Sequence, residues 1–139
     1  MVESLIDQAR AALANAHVPY SDYRVGAALR TTDGSVFVGC NIENANYSNS
    51  LHAEEVAIAE AVKTGHTDFE TLAVTSAARD GVTPCGMCRQ TLAEFCGASF
   101  RIVCDLGDDD VAAYTLGELL PDAISEDTLD AAGETGESG

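Results

Sequence analysis

His52-Ala53-Glu54 and, further along, Pro84-Cys85-Gly86-Met87-Cys88 are the segments around which this 139-residue chain is organised. One imidazole and two thiolates supply three ligands for a tetrahedral Zn²⁺, and a catalytic zinc keeps its fourth position open for water. Glu54 stands two residues past the histidine, where a carboxylate can work as a base on that water. Cys85 and Cys88 are three apart, so on a helix their sulfurs share one face. Both fall in the first turn of a helix that Pro84 opens, where the macrodipole favours thiolates. His52 and Glu54 would splay apart in mid-helix; at a helix start both can reach one site. Two helix N-termini converging on one metal is therefore the expected geometry. Zinc held by two thiolates and a neutral histidine is formally neutral, which leaves it a better Lewis acid than a tris-thiolate site. A C-x-x-C pair alone also serves structural zinc or redox chemistry. Structural zinc usually has four protein ligands, and no convincing fourth is found; a redox pair gives His52 and Glu54 no role.

Around these segments the length predicts one domain, residues 1–130, followed by a Gly/Ser/Glu-rich acidic tail, 131–139, expected to be disordered. There are 23 acids against 7 bases, a net charge of −16, and Lys63 is the sole lysine. Such a surface repels phosphates and argues against nucleic acid as a partner. Its simplest explanation is a salt-rich cytoplasm, where screening tolerates dense negative charge. No apolar run is long enough for a membrane span, and the N-terminus lacks the basic region of a signal peptide. A cytoplasmic protein without membrane partners is expected. Five cysteines is an odd count. Cys40, Cys96 and Cys104 read as inert, buried thiols rather than a disulfide framework. His17 and His66 read as surface or loop histidines.

Apolar spacing predicts an amphipathic helix over residues 3–15, stopped by Pro19. Val25–Thr31 and Ser35–Cys40 form a β-hairpin across Thr32-Asp33-Gly34. Asn41–Asn49 is turn-like, with Asn49 or Ser50 placed to cap a helix His52–Lys63 that ends at Gly65. Leu72–Ala77 is a strand, 80–83 a loop, and Cys85–Phe95 a second helix closed by Gly97. Phe100–Cys104 and Val111–Tyr114 are strands flanking the Asp108-Asp109-Asp110 turn, and Leu116–Leu120 is a short helix. Alternating strands and helices predict an α/β fold, a sheet covered by helices.

The H-x-E…P-C-x-x-C pattern is the signature of the zinc nucleobase deaminases. The chain resembles the cytidine deaminase family, specifically its short, homotetrameric branch, from about Leu5 to Leu129. The resemblance also rests on Pro19-Tyr20-Ser21, Val25-Gly26-Ala27-Ala28, Gly39-Cys40-Asn41-Ile42-Glu43-Asn44-Ala45, Arg89-Gln90 after the cysteines, and Glu118-Leu119-Leu120-Pro121. It implies a three-layer α/β/α fold around a five-stranded mixed sheet. It implies zinc-dependent hydrolysis of cytidine and deoxycytidine to uridine and deoxyuridine with release of ammonia, in pyrimidine salvage. Carried over, His52, Cys85 and Cys88 bind zinc. Glu54 deprotonates water, protonates ring N3 and then protonates the departing amine. Asn41 and Glu43 hydrogen-bond the ribose 3′-hydroxyl, although by their residues alone they read as a capped turn. The Ala53 N–H holds the base carbonyl. Tyr23 stands where the family usually has a phenylalanine against the base, and Tyr47 matches a tyrosine that reaches a neighbouring subunit's site. Three positions depart from the short branch. His52 replaces a cysteine, Glu55 replaces an arginine that offsets a tris-thiolate site, and Ile124 replaces a phenylalanine that a neighbour places over the base. The first two changes agree with each other, because a neutral ligand removes the charge that the arginine balances.

Other substrates fit less well. A nucleotide requires basic residues near the ribose pocket, and 41–49 has none. An RNA- or DNA-editing enzyme requires a basic, aromatic channel. A merely structural zinc domain has no use for Glu54.

Overall fold

The computed structural model describes residues 2–76, 83–107 and 110–121. Helix α1 (Val2–Ala12) runs into a 3-10 turn, Leu13–Asn15. The hairpin β1 (Val25–Thr31) and β2 (Val36–Cys40) follows, then a second 3-10 turn, Tyr47–Asn49, and helix α2 (Ala53–Lys63). Strand β3 (Phe69–Ser76) leads to α3 (Gly86–Phe95), and β4 (Arg101–Gly107), β5 (Asp110–Thr115) and α4 (Leu116–Leu119) close the order. The tail 131–139, Ile124, residues 80–82 of the expected loop and Asp108-Asp109 lie outside the described residues.

The five strands form one mixed sheet in the order β2-β1-β3-β4-β5. Strands β3 and β4 are parallel and the other pairings antiparallel. Parallel neighbours need a crossover, and α3 lies within it. Side-chain alternation along the central strands divides the core in two. Ala27 and Leu29, Leu72 and Val74, and Ile102 and Cys104 pack with Ala53, Ala57, Ile58 and Leu92 of α2 and α3. The residues between them, Ala28, Ala73 and Val103, pack against Leu5, Ile6 and Ala9 of α1. The result is the expected α/β/α layering. Gly39 determines how closely α2 sits: a Cβ there would lie 2.2 Å from the Ala53 carbonyl oxygen and 2.6 Å from the Ala57 nitrogen. The start of α2 thus rests directly on β2.

Several boundaries differ from the sequence expectation. The periodic segment 3–15 is α-helical only to Ala12. Beyond it, the Leu13 and Ala16 carbonyls accept from the Arg24 guanidinium at 2.9 and 3.0 Å. Strand β3 begins at Phe69, because Phe69 and Thr71 continue the ladder opposite Thr31 and Arg30. Neither Asn49 nor Ser50 caps α2; the N-cap is His52. Leu51 exchanges backbone hydrogen bonds with Ile42 at 2.8 and 3.0 Å, so the chain stays extended until His52. The Ser50 hydroxyl accepts from the Asn44 N–H instead.

Candidate metal and active site

Two helix starts meet at one end of the sheet. His52 is the N-cap of α2, with extended backbone angles of φ −86° and ψ 149°. Cys85 is the N-cap of α3, and Cys88 lies one turn into it, fully buried. A possible ligand atom on each of His52, Cys85 and Cys88 lies within 4.8 Å of the others. The His52 Nδ1 is 3.0 Å from the Cys85 sulfur. Cys85 itself faces solvent.

Each start is tied down by a residue in its own helix. The Glu55 carboxylate accepts the His52 backbone N–H at 3.0 Å. On α3, Arg89 donates to the Pro84 carbonyl at 2.6 Å, to the Thr83 hydroxyl at 2.9 Å and to the Leu119 carbonyl at 2.8 Å. One guanidinium thereby joins the segment before Cys85 to α4.

The local charges call for a cation. Burial pushes the Cys88 thiol far above its ordinary value, and the Glu54 and Cys85 charges push it further. Glu54 is also buried, with 4% of its surface exposed. That burial raises its carboxyl above the usual range. A dication among these groups offsets both effects, and nitrogen with two sulfurs is a donor set suited to Zn²⁺.

Beside the ligands opens a cavity of about 590 Å³, lined in part by Tyr23, Val25, Asn41, Glu43, Ala53, Glu54 and Thr83 as well as His52 and Cys85. The remaining walls come from Tyr20, Ser21, Ser50 and Leu51. Asn41 and Glu43 line it while serving as braces. The Asn41 amide donates to the Tyr23 carbonyl at 2.7 Å and accepts the Val25 N–H at 2.9 Å, clasping the backbone on both sides of Arg24. Glu43 accepts the Tyr20 and Ser21 N–H groups at 3.0 and 3.1 Å and the Ser21 hydroxyl at 2.5 Å. Those bonds hold its carboxyl below the usual range. Tyr47 opens the second 3-10 turn; its side chain lies outside the described part.

A sequence model of the family described as "Cytidine and deoxycytidylate deaminase zinc-binding region" matches residues 1–104. The chain belongs to this family. A cytidine deaminase of Sporosarcina psychrophila is 43% identical over 133 residues, covering 96% of this chain and 98% of that protein. One from Halalkalibacterium halodurans is 40% identical, covering 91% of this chain and 96% of that protein. The crystal structure of cytidine deaminase from Burkholderia pseudomallei superposes with a TM-score of 0.82 at 41% identity, covering 87% of this chain and 97% of that one. The zinc named in the family description agrees with the His52, Cys85 and Cys88 donor set.

Leu51 and Thr83 in the cavity wall were not picked out by sequence reasoning, and Ser50 was read only as a helix cap. Their signal is adjacency: Ser50-Leu51 precedes the His52 ligand and Thr83 precedes Pro84-Cys85. The other three cysteines take no part in the cluster. Cys104 is buried, its thiol pushed up to about 11 by burial. Cys96 is half-buried, its thiol pushed up to about 12, and Cys40 is half-buried as well. His66 is more engaged than a surface histidine: its ring packs on Phe37 at a centroid distance of 5.0 Å and meets Asp33 at 3.2 Å.

Proposed function

We propose that this chain catalyses hydrolytic deamination of cytidine and deoxycytidine, giving uridine or deoxyuridine and ammonia. The observation that carries the reading is the buried Glu54 carboxyl, set in the cavity wall beside His52 and Cys85. Relatives named cytidine deaminase over nearly the whole chain support it. Bound by His52, Cys85 and Cys88, Zn²⁺ supplies the Lewis acidity that lets a water ionise near neutral pH. Glu54 takes a proton from the attacking water and places it on ring N3. The C4–oxygen bond forms as N3 is protonated; Glu54 then takes the remaining proton of that hydroxyl and delivers it to the amine, so that the C4–nitrogen bond breaks as the C4 carbonyl forms and ammonia leaves. Ala53, the first residue of α2, has a backbone N–H without an intrahelical partner and holds the base carbonyl. Tyr23 packs against the base. Asn41 and Glu43 brace the Tyr20–Val25 segment and use their remaining hydrogen-bonding capacity on the ribose 3′-hydroxyl.

The reading extends to a homotetramer in a salt-rich cytoplasm, acting in pyrimidine salvage on a free nucleoside rather than on nucleic acid. Tyr20, Ile42 and Leu51 expose apolar surface beside the cavity, which an adjoining copy would cover, and in such an assembly Tyr47 would take the role that the family resemblance implies, reaching a neighbour's site. Sedimentation in molar KCl tests this, and a monomer with full activity overturns it. Among the described residues no helix is long and apolar enough to cross a membrane. The deciding assay follows ammonia release and the cytidine-to-uridine absorbance change with cytidine, deoxycytidine and deoxycytidylate in molar KCl. Turnover of both nucleosides, lost in Glu54→Gln while zinc stays bound, is the expected result. Turnover of deoxycytidylate alone overturns the nucleoside assignment.

A further inference from the structure

Glu55 has no part in the chemistry above, yet its carboxylate sits against the residue that would hold the metal. The His52 backbone N–H donates to the Glu55 Oε1 at 3.0 Å. His52 is the N-cap of α2, so its N–H and those of the next three residues have no partner within the helix. A carboxylate at the third helical position reaches back to satisfy such a group. The N-cap conformation determines where the imidazole starts from, and its Nδ1 ends 3.0 Å from the Cys85 sulfur. The backbone at this point has little room to shift, because Gly39 brings β2 against the Ala53 carbonyl.

A second helix in the same chain isolates what is particular about this contact. Helix α4 begins with the same device: Glu118 accepts the Thr115 N–H at 2.7 Å, and the Thr115 hydroxyl accepts the Glu118 N–H at 3.2 Å. Thr115 is not one of the clustered metal donors. In α4 the box secures a helix end; in α2 the capped residue is itself a donor.

We propose that Glu55 is a positioning residue, which accepts the His52 backbone N–H and thereby locks the N-cap conformation from which the imidazole joins Cys85 and Cys88 around the metal. This rests on the reading of His52, Cys85 and Cys88 as a zinc site. Glutamine keeps the acceptor oxygen and removes the charge; alanine removes both.

The test is the rate at which a chromogenic chelator strips zinc from the full-length, zinc-loaded protein. Wild type, Glu55→Gln, Glu55→Ala and Glu118→Ala are compared, with thermal melting of each alongside. Partners that orient a metal ligand typically change metal affinity by about 10- to 100-fold when removed, and a backbone anchor belongs at the lower end. Glu55→Ala is expected to release zinc about tenfold faster than wild type, with Glu55→Gln close to wild type. Glu118→Ala is expected to melt earlier and release zinc at the wild-type rate. Equal release from Glu55→Ala and wild type overturns the proposal, and so does release from Glu55→Gln as fast as from Glu55→Ala. Amide exchange of wild type gives a reading that no variant's folding can obscure. A slowly exchanging His52 N–H is expected, and a rapidly exchanging one overturns the proposal. Wild type that binds no zinc overturns the metal-site reading as well, which separates the two failures.

Discussion

Among the described residues two acids are buried, Glu54 at the start of α2 and Asp105 on β4, with 4% and 7% of their surface exposed. Their surroundings differ in every other respect. Asp105 takes a bidentate ion pair from Arg10 of α1 at 2.7 and 2.8 Å, a hydroxyl hydrogen bond from Thr75 at 2.7 Å and the Gly107 N–H at 2.9 Å. Those bonds, the Arg10 pair foremost, hold its carboxyl far below the usual range. Glu54 has no cationic side chain at comparable distance among the described ion pairs, and burial drives its carboxyl the other way. A carboxylate whose lone pairs are all engaged can only hold the fold together. One kept out of water, its carboxyl raised by burial, has capacity to spare for the proton transfers proposed above. The α1 layer thus engages its buried carboxylate in full, whereas the cavity leaves its own available for the proposed chemistry.

Exchanging each acid for its amide tests that division most directly. Glu54→Gln is expected to lower kcat/KM by about 10²- to 10⁴-fold, the usual share of a positioned acid–base group. Its melting temperature should stay level or rise, because the swap replaces a carboxyl whose charged form burial disfavours with a neutral side chain of the same shape. A variant that loses activity and stability together would show that Glu54 also supports the fold. Asp105→Asn is expected to do the reverse, with kinetic constants unchanged and a stability loss of about 2 kcal/mol in urea melts. That figure lies below the range for fully buried pairs, because the Arg10 side chain is one-third exposed (33%). In a chain of this size it corresponds to a melting point lower by about 8 °C.

Acid titration refines the same contrast with a smaller effect. A carboxyl whose native pKa lies below its unfolded value of about 3.9 adds stability above that value and loses it as the pH falls toward the native one. Asp105 is such a group. Wild type should therefore lose more stability between about pH 5 and pH 2 than Asp105→Asn does. Urea melts across that window check it, and parallel curves would remove Asp105 from the acid response.

Much of the site could be read from residue identities and spacing. His52, Glu54, Cys85 and Cys88 are chemically distinctive, and two-residue and three-residue intervals restrict where such side chains can point. The strand and helix succession was legible for the same reason, since apolar periodicity reports which face is buried. The hidden features depend on partners remote in sequence. Arg10 and Asp105 are 95 positions apart, and nothing local to either announces the other. The helix cap was misread because Ser50 is a good capping residue in isolation. The Ile42–Leu51 bridge instead keeps the chain extended past it. Asn41 and Glu43 were legible as a capped turn, but which backbone groups they clasp depends on where Tyr20–Val25 lies.

By itself, then, the sequence determined the donor set, the layered fold and the extreme negative charge, and it singled out Glu54 as the proposed general base. These follow from side-chain chemistry and periodicities of two and 3.6. Only the tertiary structure decided that both helix starts meet at one end of the sheet, and that Glu55 and Arg89 secure them. It also decided that one buried acid is paired with Arg10, while the other has no ion pair among the described residues. Hydrogen bonds and burial are properties of contacts, and contacts between distant positions exist only once the sheet and its helices have packed.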